Sequence, residues 1–182
     1  MSVFLQPIYT QTVGSGGSTG AITFNNIPQT FTDICVFVST RSVRSGNPTD
    51  DIYCNFNNVN SSNTQHSVST LWGNGSLTGS SRGASSWIIG FGVQPAATGT
   101  ANTFSSGLLY IPNYTSSNYK SFTIDFVNEN NTTTLGTGAG LNMEAGLFSS
   151  TSAITAISFL GGYSNFAQYS TFSLYGVLRQ GI

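Results

Sequence analysis

Charged side chains are what this sequence has least of. Five Lys and Arg and six Asp and Glu make up 6% of its 182 residues, whereas a typical soluble domain is about 25% charged. So few cations cannot form the basic stripe that binds a phosphate backbone, and we expect no nucleic-acid partner. A chain with a net charge of −1 tends to associate, and its burial against a partner desolvates few charges. The composition therefore favours a protein that is packed against other subunits.

Long apolar runs are missing as well. No stretch approaches the roughly 20 residues of a membrane-spanning helix, and the N-terminus lacks the basic and apolar regions of a signal peptide. We therefore expect no membrane partner and no signal-directed secretion. The apolar content is nevertheless 38%, with 13 Phe and 8 Tyr, which is sufficient for one packed domain.

Side chains that carry out chemistry are few. The single histidine, His66, lies in a segment rich in Ser and Gln and is expected at the surface. There is no Gly-x-Ser-x-Gly motif and no Cys/His spacing typical of zinc. A glycosidase needs two carboxylates across a cleft, and Asp125 with Glu144 or Glu129 is the combination left open. We expect no catalytic residue, no metal ligand and no cofactor, and therefore no enzymatic activity.

Short runs of β-branched and aromatic residues predict strands rather than helices, because many of them alternate with polar residues. Turn signals separate these runs at intervals of about 10–20 residues, which is typical of a sandwich or barrel. We predict an all-β protein of about nine or ten strands, an antiparallel, jelly-roll-like β-sandwich over residues 21–182. Val59–Ser86, rich in Ser, Asn and Gly, is predicted to be mostly exposed loop. The main predicted strands are Ala21–Asn25, Phe31–Thr40, Asp51–Asn57, Trp87–Val93, Thr103–Pro112, Tyr119–Val127, Leu141–Phe148, Ile154–Leu160 and Tyr169–Leu178.

Two hairpins are expected from the order of these runs. Ile154–Leu160 and Tyr169–Leu178 are separated by a polar linker, which predicts a hairpin at the centre of the sandwich. Phe31–Thr40 and Asp51–Asn57 flank a Gly-Asn-Pro loop, which predicts a second hairpin.

The second hairpin would bring together residues that are distant in the sequence. Cys35 would lie nearly opposite Cys54, and two interpretations are open: a disulfide, or two buried free thiols. We favour the free thiols, because burial is the commonest fate of an unpaired cysteine. The same pairing would place Arg41 beside Asp50 and Asp51, where a surface ion pair contributes only about 0–1 kcal/mol.

The first 20 residues are predicted as a separate region, an extended arm over residues 1–13 on a Gly/Ser tether over residues 14–20. Two placements of the arm are open. It lies on a neighbouring subunit, or it adds an edge strand to its own sheet. In the first case the contact residues would be Val3, Phe4, Leu5, Ile8 and Tyr9.

Several blocks of the chain resemble structural proteins of tailed-bacteriophage virions. The resemblance is carried by Phe24–Ser42 at the N-terminal side and by Ser152–Val177 at the C-terminal side. Shorter blocks, Ala101–Phe104 and Tyr110–Tyr114, fit in the middle. Proteins of this kind include capsid decoration or cement proteins, head fibres and parts of tail fibres. No functional residue can be carried over, because no site defines the group.

The resemblance implies a non-enzymatic role on the outer surface of a capsid, in a protein made in the cytoplasm of a bacterial host. Its implied partners are the major capsid protein and further copies of itself, as a dimer or trimer. The absence of a long repetitive shaft favours a decoration protein of the head over a tail fibre. The alternative is a tail-fibre or receptor-binding tip that recognises host surface glycans through its loops, with Trp72 and Tyr114 as contact residues.

Overall fold

The computed structural model describes residues 3–59, 65–129 and 140–179. Within these residues the chain forms twelve β-strands and no helix. The strands are β1 (Val3–Thr12), β2 (Ile22–Phe24), β3 (Asp33–Ser39), β4 (Thr49–Phe56), β5 (His66–Gly73), β6 (Thr78–Ser85), β7 (Ile88–Pro95), β8 (Ser106–Pro112), β9 (Lys120–Asn128), β10 (Gly140–Phe148), β11 (Ile157–Gly161) and β12 (Thr171–Arg179).

The strands form two antiparallel sheets that enclose one core. The large sheet has eight strands in the order β1-β12-β3-β8-β9-β10-β5-β6, and the small sheet has four in the order β2-β11-β4-β7. Aromatic rings fill the space between the sheets; Phe91 lies 5.3 Å from Phe159 and 5.8 Å from Phe126 between ring centroids. The predicted all-β, antiparallel, sandwich-like fold is confirmed, with twelve strands in the described residues instead of nine or ten.

Alternating residues explain why these strands form and which face they bury. In β9 every second side chain, from Lys120 to Asn128, is buried and the intervening ones are exposed. Small residues make room for the rings that this alternation turns inward. A Cβ on Gly107 of β8 would lie 2.3 Å from the ring of Phe126, closer than atoms can approach, so glycine is required there.

Both predicted hairpins are wrong. β11 pairs with β2 and β4 in the small sheet, whereas β12 pairs with β1 and β3 in the large sheet. The linker between them, residues 162–170, crosses from one sheet to the other. β3 and β4 are likewise in different sheets. A polar linker of this length can cross the edge of a sandwich as readily as it can turn back, and the local sequence does not distinguish the two.

The prediction of exposed loops over Val59–Ser86 is also wrong for most of that range. β5 and β6 pair along their whole length, from His66 with Ser85 to Gly73 with Thr78. The side chain of Asn74 closes their turn, because its Oδ1 accepts hydrogen bonds from the backbone N–H groups of Ser76 and Leu77. Residues 60–64 of the predicted loop lie outside the described part of the chain.

The predicted arm is an edge strand of its own sheet. β1 pairs with β12 in register from Val3 to Thr12, with a bulge between Pro7 and Tyr9. Ile8 packs against the core, and the ring of Tyr9 stacks on that of Phe24 at 6.0 Å. Contact with a neighbouring subunit stays a prediction for the outer side of this strand.

The Gly/Ser tether is held in place by the linker between the two sheets. The backbone N–H of Ser18 donates to the carbonyl of Phe166, and the hydroxyl of Ser18 accepts from the N–H of Phe166. Gly17 adopts a φ of 82°, in the left-handed region that glycine tolerates best. The tether is therefore a defined turn that delivers the chain from β1 to β2.

Candidate functional site

The outer face of the large sheet carries a broad exposed surface that mixes apolar and hydroxyl side chains. In β9 this face is marked by Thr123 and Asp125, which are exposed between buried neighbours. The register with β10, β5 and β6 extends the same face across the four last strands of the sheet. Its exposed large apolar side chains include Val127, Leu141, Met143 and Leu71.

A shallow hollow of about 920 Å³ lies on this face, across β9, β10, β5 and β6. Met143 and Leu71 face each other across β10 and β5 and are both more than half exposed. Asp125 stands on one side, on β9, and Arg82 stands on the other, on β6. Asp125 and Arg82 are the charged side chains that face the hollow, and most of the other lining residues are apolar or carry hydroxyls; Glu144 borders it as well, but its side chain lies on the buried face of β10.

Sequence reasoning identified Asp125 but not the surface around it. The alternation in β9 was the available signal for an exposed face. β6 offered none, because small and polar residues occupy both of its faces.

The carboxylates considered as a catalytic pair point to opposite faces of the sheet. Asp125 is paired in register with Met143, on the exposed face, whereas Glu144 is paired with Ile124, on the buried face. Glu129 follows the last residue of β9. Asp125 and Glu144 therefore cannot converge on one substrate from the same side.

Glu144 is a buried carboxyl group for which the described part of the chain supplies one hydrogen bond. It is 4% exposed, and its Oε1 accepts from the hydroxyl of Thr70 at 3.3 Å. Burial raises its pKa to about 8, and the bond from Thr70 offsets part of that effect. The pKa of the Cys54 thiol in the small sheet is raised mainly by burial. A negative charge on Glu144 would raise it further. Glu144 is accordingly a protonated group of the core at neutral pH.

His66 is buried, so the prediction that it lies at the surface is wrong. Its ring stacks on Phe148 at 4.9 Å between centroids, and its Nε2 accepts a hydrogen bond from the backbone N–H of Phe56 at 3.2 Å. Burial lowers its pKa to about 4, against smaller opposing effects of the Ser85 and Ser86 backbone. The imidazole is therefore neutral at pH 7 and joins β5 to the small sheet as a structural residue.

The two aromatic residues predicted as glycan contacts are not presented together to solvent. Tyr114 is completely buried, and its hydroxyl donates to the backbone carbonyl of Pro28; the prediction that it is exposed is wrong. Trp72 is half-buried, with its indole lying over Gly79 of the neighbouring strand. An aromatic ring that is well exposed is that of Tyr163, which is covered on one side by the guanidinium of Arg44 at 4.1 Å.

The predicted second hairpin placed Cys35 opposite Cys54 and Arg41 beside Asp50 and Asp51, and neither pairing is found. Cys35 and Cys54 are free and buried, in different sheets, which confirms the interpretation that we favoured. Arg41 does not meet the acidic pair; it donates to the backbone carbonyls of residues 96–103, Ala96 at 2.8 Å among them. It is Arg44 that approaches Asp50, at 3.8 Å.

A metal site, a membrane-spanning helix or a known relative would each point to a function. Among the described residues there is no group of three or more His, Cys, Asp or Glu side chains that could hold a metal ion. No helix in the described part of the chain is long and apolar enough to cross a membrane. Comparison with protein-family models, curated proteins and solved structures found no match. Inferences about function therefore depend on the surfaces described above and on the sequence resemblance.

Proposed function

We propose that this chain is a non-enzymatic structural protein of a bacteriophage virion, most specifically a decoration or cement protein that binds major capsid subunits. Its production in the bacterial cytoplasm and its position on the outer capsid surface are parts of this proposal, as is a jelly-roll-like arrangement of its sheets. The observation that carries the proposal is the exposed edge strand β1. The scarcity of charge supports it, since few charges are desolvated on docking.

The edge strand has the features of a docking element. β1 is ten residues long and pairs on one side with β12. No other described strand pairs with its outer side, where a further strand could add, the mode of binding called β-augmentation. Phe4 and Leu5 are 54% and 51% exposed, and Tyr9 is exposed as well. Full burial of an apolar side chain contributes about 1.5–3 kcal/mol, and many copies on one particle multiply a modest affinity.

Reconstitution on purified heads tests this proposal. Heads from a phage that encodes this chain, stripped of it, should bind the purified protein in hundreds of copies, and readdition should raise the temperature at which they release DNA. The double substitution Phe4→Lys with Leu5→Lys should abolish that binding, because it charges the side chains that would be buried. Val43→Lys is the matched control, since Val43 is an exposed apolar residue outside β1. The proposal fails if purified heads contain none of the protein.

A receptor-binding tip that recognises host glycans remains the second candidate. The hollow on the large sheet favours it, because hydroxyl groups, Asp125 and Arg82 there could bind sugar hydroxyls. The buried position of Tyr114 removes one of its two predicted aromatic contacts. Antibody to the chain should block adsorption to the host if this candidate is correct, and a copy number of about a dozen per particle would agree with it.

A further inference from the structure

Eight exposed side chains form a regular patch on the outer face of β9, β10, β5 and β6. One row across the four strands consists of Asp125, Met143, Leu71 and Ser80, and the next row consists of Thr123, Ala145, Ser69 and Arg82. Opposite charges therefore lie on the two outer strands, Asp125 on β9 and Arg82 on β6. The large apolar side chains, Met143 and Leu71, lie on the inner strands β10 and β5. We refer to these eight residues as the four-strand patch.

We propose that the four-strand patch binds the same patch of a second copy of this chain, in a two-fold dimer. The axis lies between the two faces and runs along the strands, midway between β10 and β5. It places Met143 against Leu71 of the second copy, and the symmetry creates the same contact a second time. A two-fold interface requires this kind of self-complementarity, and face-to-face packing is the usual way in which two sheets bury apolar side chains.

The charges of the patch are complementary under the same axis. β9 faces β6 of the second copy, so Asp125 lies opposite Ser80, and Arg82 follows two residues along that strand, about 7 Å away. An extended arginine side chain spans this distance. The dimer would contain two such Asp–Arg pairs, one on each side of its apolar centre.

The position of the axis follows from the cost of burying a carboxylate. An axis through the middle of the large sheet, between β8 and β9, would cover more surface. It would also place Asp125 against Leu108 of the second copy, since these two residues share a row across β8 and β9. A carboxylate that loses water without gaining a partner is strongly destabilising. The charges therefore select the axis that overlaps four strands rather than eight.

The overlap also predicts how tightly the dimer is held. Four strands about 4.8 Å apart and about 25 Å long present roughly 500 Å² per copy, or about 1,000 Å² in total. This is at the lower end of specific interfaces, where association is weak and reversible. We expect a dissociation constant on the order of 10–100 μM.

Sedimentation equilibrium of the purified full chain tests the proposal. The wild type should change from monomer to dimer as the concentration rises through the expected range. Met143→Lys should raise the dissociation constant at least about 30-fold, because it places two cations at the apolar centre. Val43 is an exposed apolar residue outside the patch, so Val43→Lys should leave the dissociation constant unchanged. Circular dichroism and thermal melting of each variant establish that it is folded.

A charge exchange tests the two-fold geometry itself. Asp125→Arg and Arg82→Asp should each weaken the dimer about tenfold, and the double variant should recover most of the loss. The proposal is overturned if the wild type stays monomeric above about 500 μM, if it forms a trimer, or if the double variant is no better than the singles. It stands apart from the proposed function, because β1 is not in the interface. Wild-type dimers that fail to bind heads would overturn only the capsid role.

Discussion

Replacing Glu144 by glutamine should make the protein more stable in alkaline solution. The folded protein holds the pKa of this carboxyl at about 8, against an ordinary value of 4.5. Between those values the folded chain binds a proton that the unfolded chain has lost, so the free energy of unfolding falls as the pH rises. Each pH unit in that interval costs about 1.4 kcal/mol, which makes the full cost at most about 5 kcal/mol. Glutamine has no proton to lose and can still accept the bond from Thr70.

His66 changes stability in the opposite direction over part of the same range. Its pKa is about 4 in the folded protein and 6.5 ordinarily, so the unfolded chain binds the extra proton and stability rises with pH over that interval. The two effects largely cancel between pH 4.5 and 6.5, and the contribution of Glu144 is left alone between 6.5 and 8. The loss of stability that Glu144 causes in the wild type should therefore fall mainly between pH 6.5 and 8.

Urea unfolding at a series of pH values measures this difference. Trp72 and Trp87 are half-buried, so their fluorescence should report unfolding. We expect the wild type to lose about 2 kcal/mol between pH 6.5 and 8, and Glu144→Gln to stay level over the same interval. Asp125→Asn is the matched control, because Asp125 is an exposed carboxylate on the neighbouring strand, and its curve should follow that of the wild type. Parallel curves for wild type and Glu144→Gln would refute the reasoning.

Two further substitutions test the packing of the core. Gly107→Ala should destabilise the protein by about 1–3 kcal/mol in thermal melts, because the added Cβ would lie 2.3 Å from the ring of Phe126. Gly83→Ala is the control and should be close to neutral, because nothing lies within 4 Å of its added Cβ. Tyr114→Phe should lower stability by about 1 kcal/mol through the loss of its bond to Pro28 and leave host adsorption unchanged. A clear adsorption defect in that folded variant would contradict the buried position of the ring.

Strands could be predicted wherever the two faces of the sheet meet different environments. β9 is the clearest case, because Phe122, Ile124 and Phe126 face the core and the residues between them face solvent. β6 could not be predicted, since its sequence from Thr78 to Ser85 is exposed along almost its whole length and carries no apolar alternation. Its conformation depends on hydrogen bonds to β5, which the local sequence does not encode.

Pairing and burial were harder to predict than strand identity. The sequence around His66 is polar, and the histidine is buried because Phe56 of another strand, ten residues earlier, and Phe148, far along the chain, pack against its ring. Tyr114 lies in the polar turn after β8 and is nevertheless buried, with its hydroxyl donating to the carbonyl of Pro28. In both cases the hydrogen-bond partner that offsets the cost of desolvation comes from another strand or loop. The local sequence alone therefore predicts exposure where the side chain is buried.

The edge position of Pro7 has a consequence for how this chain can polymerise. A long sheet with two open sides invites strand after strand to add, and the product of such growth is a fibril. Proline has no N–H group to donate, and the bulge beside it shifts the register of β1. An incoming strand could therefore pair with β1 only in short segments on either side of this interruption. A full-length strand pairing at β1, the first step of such growth, is thereby disfavoured in a chain that has few charges to keep copies apart.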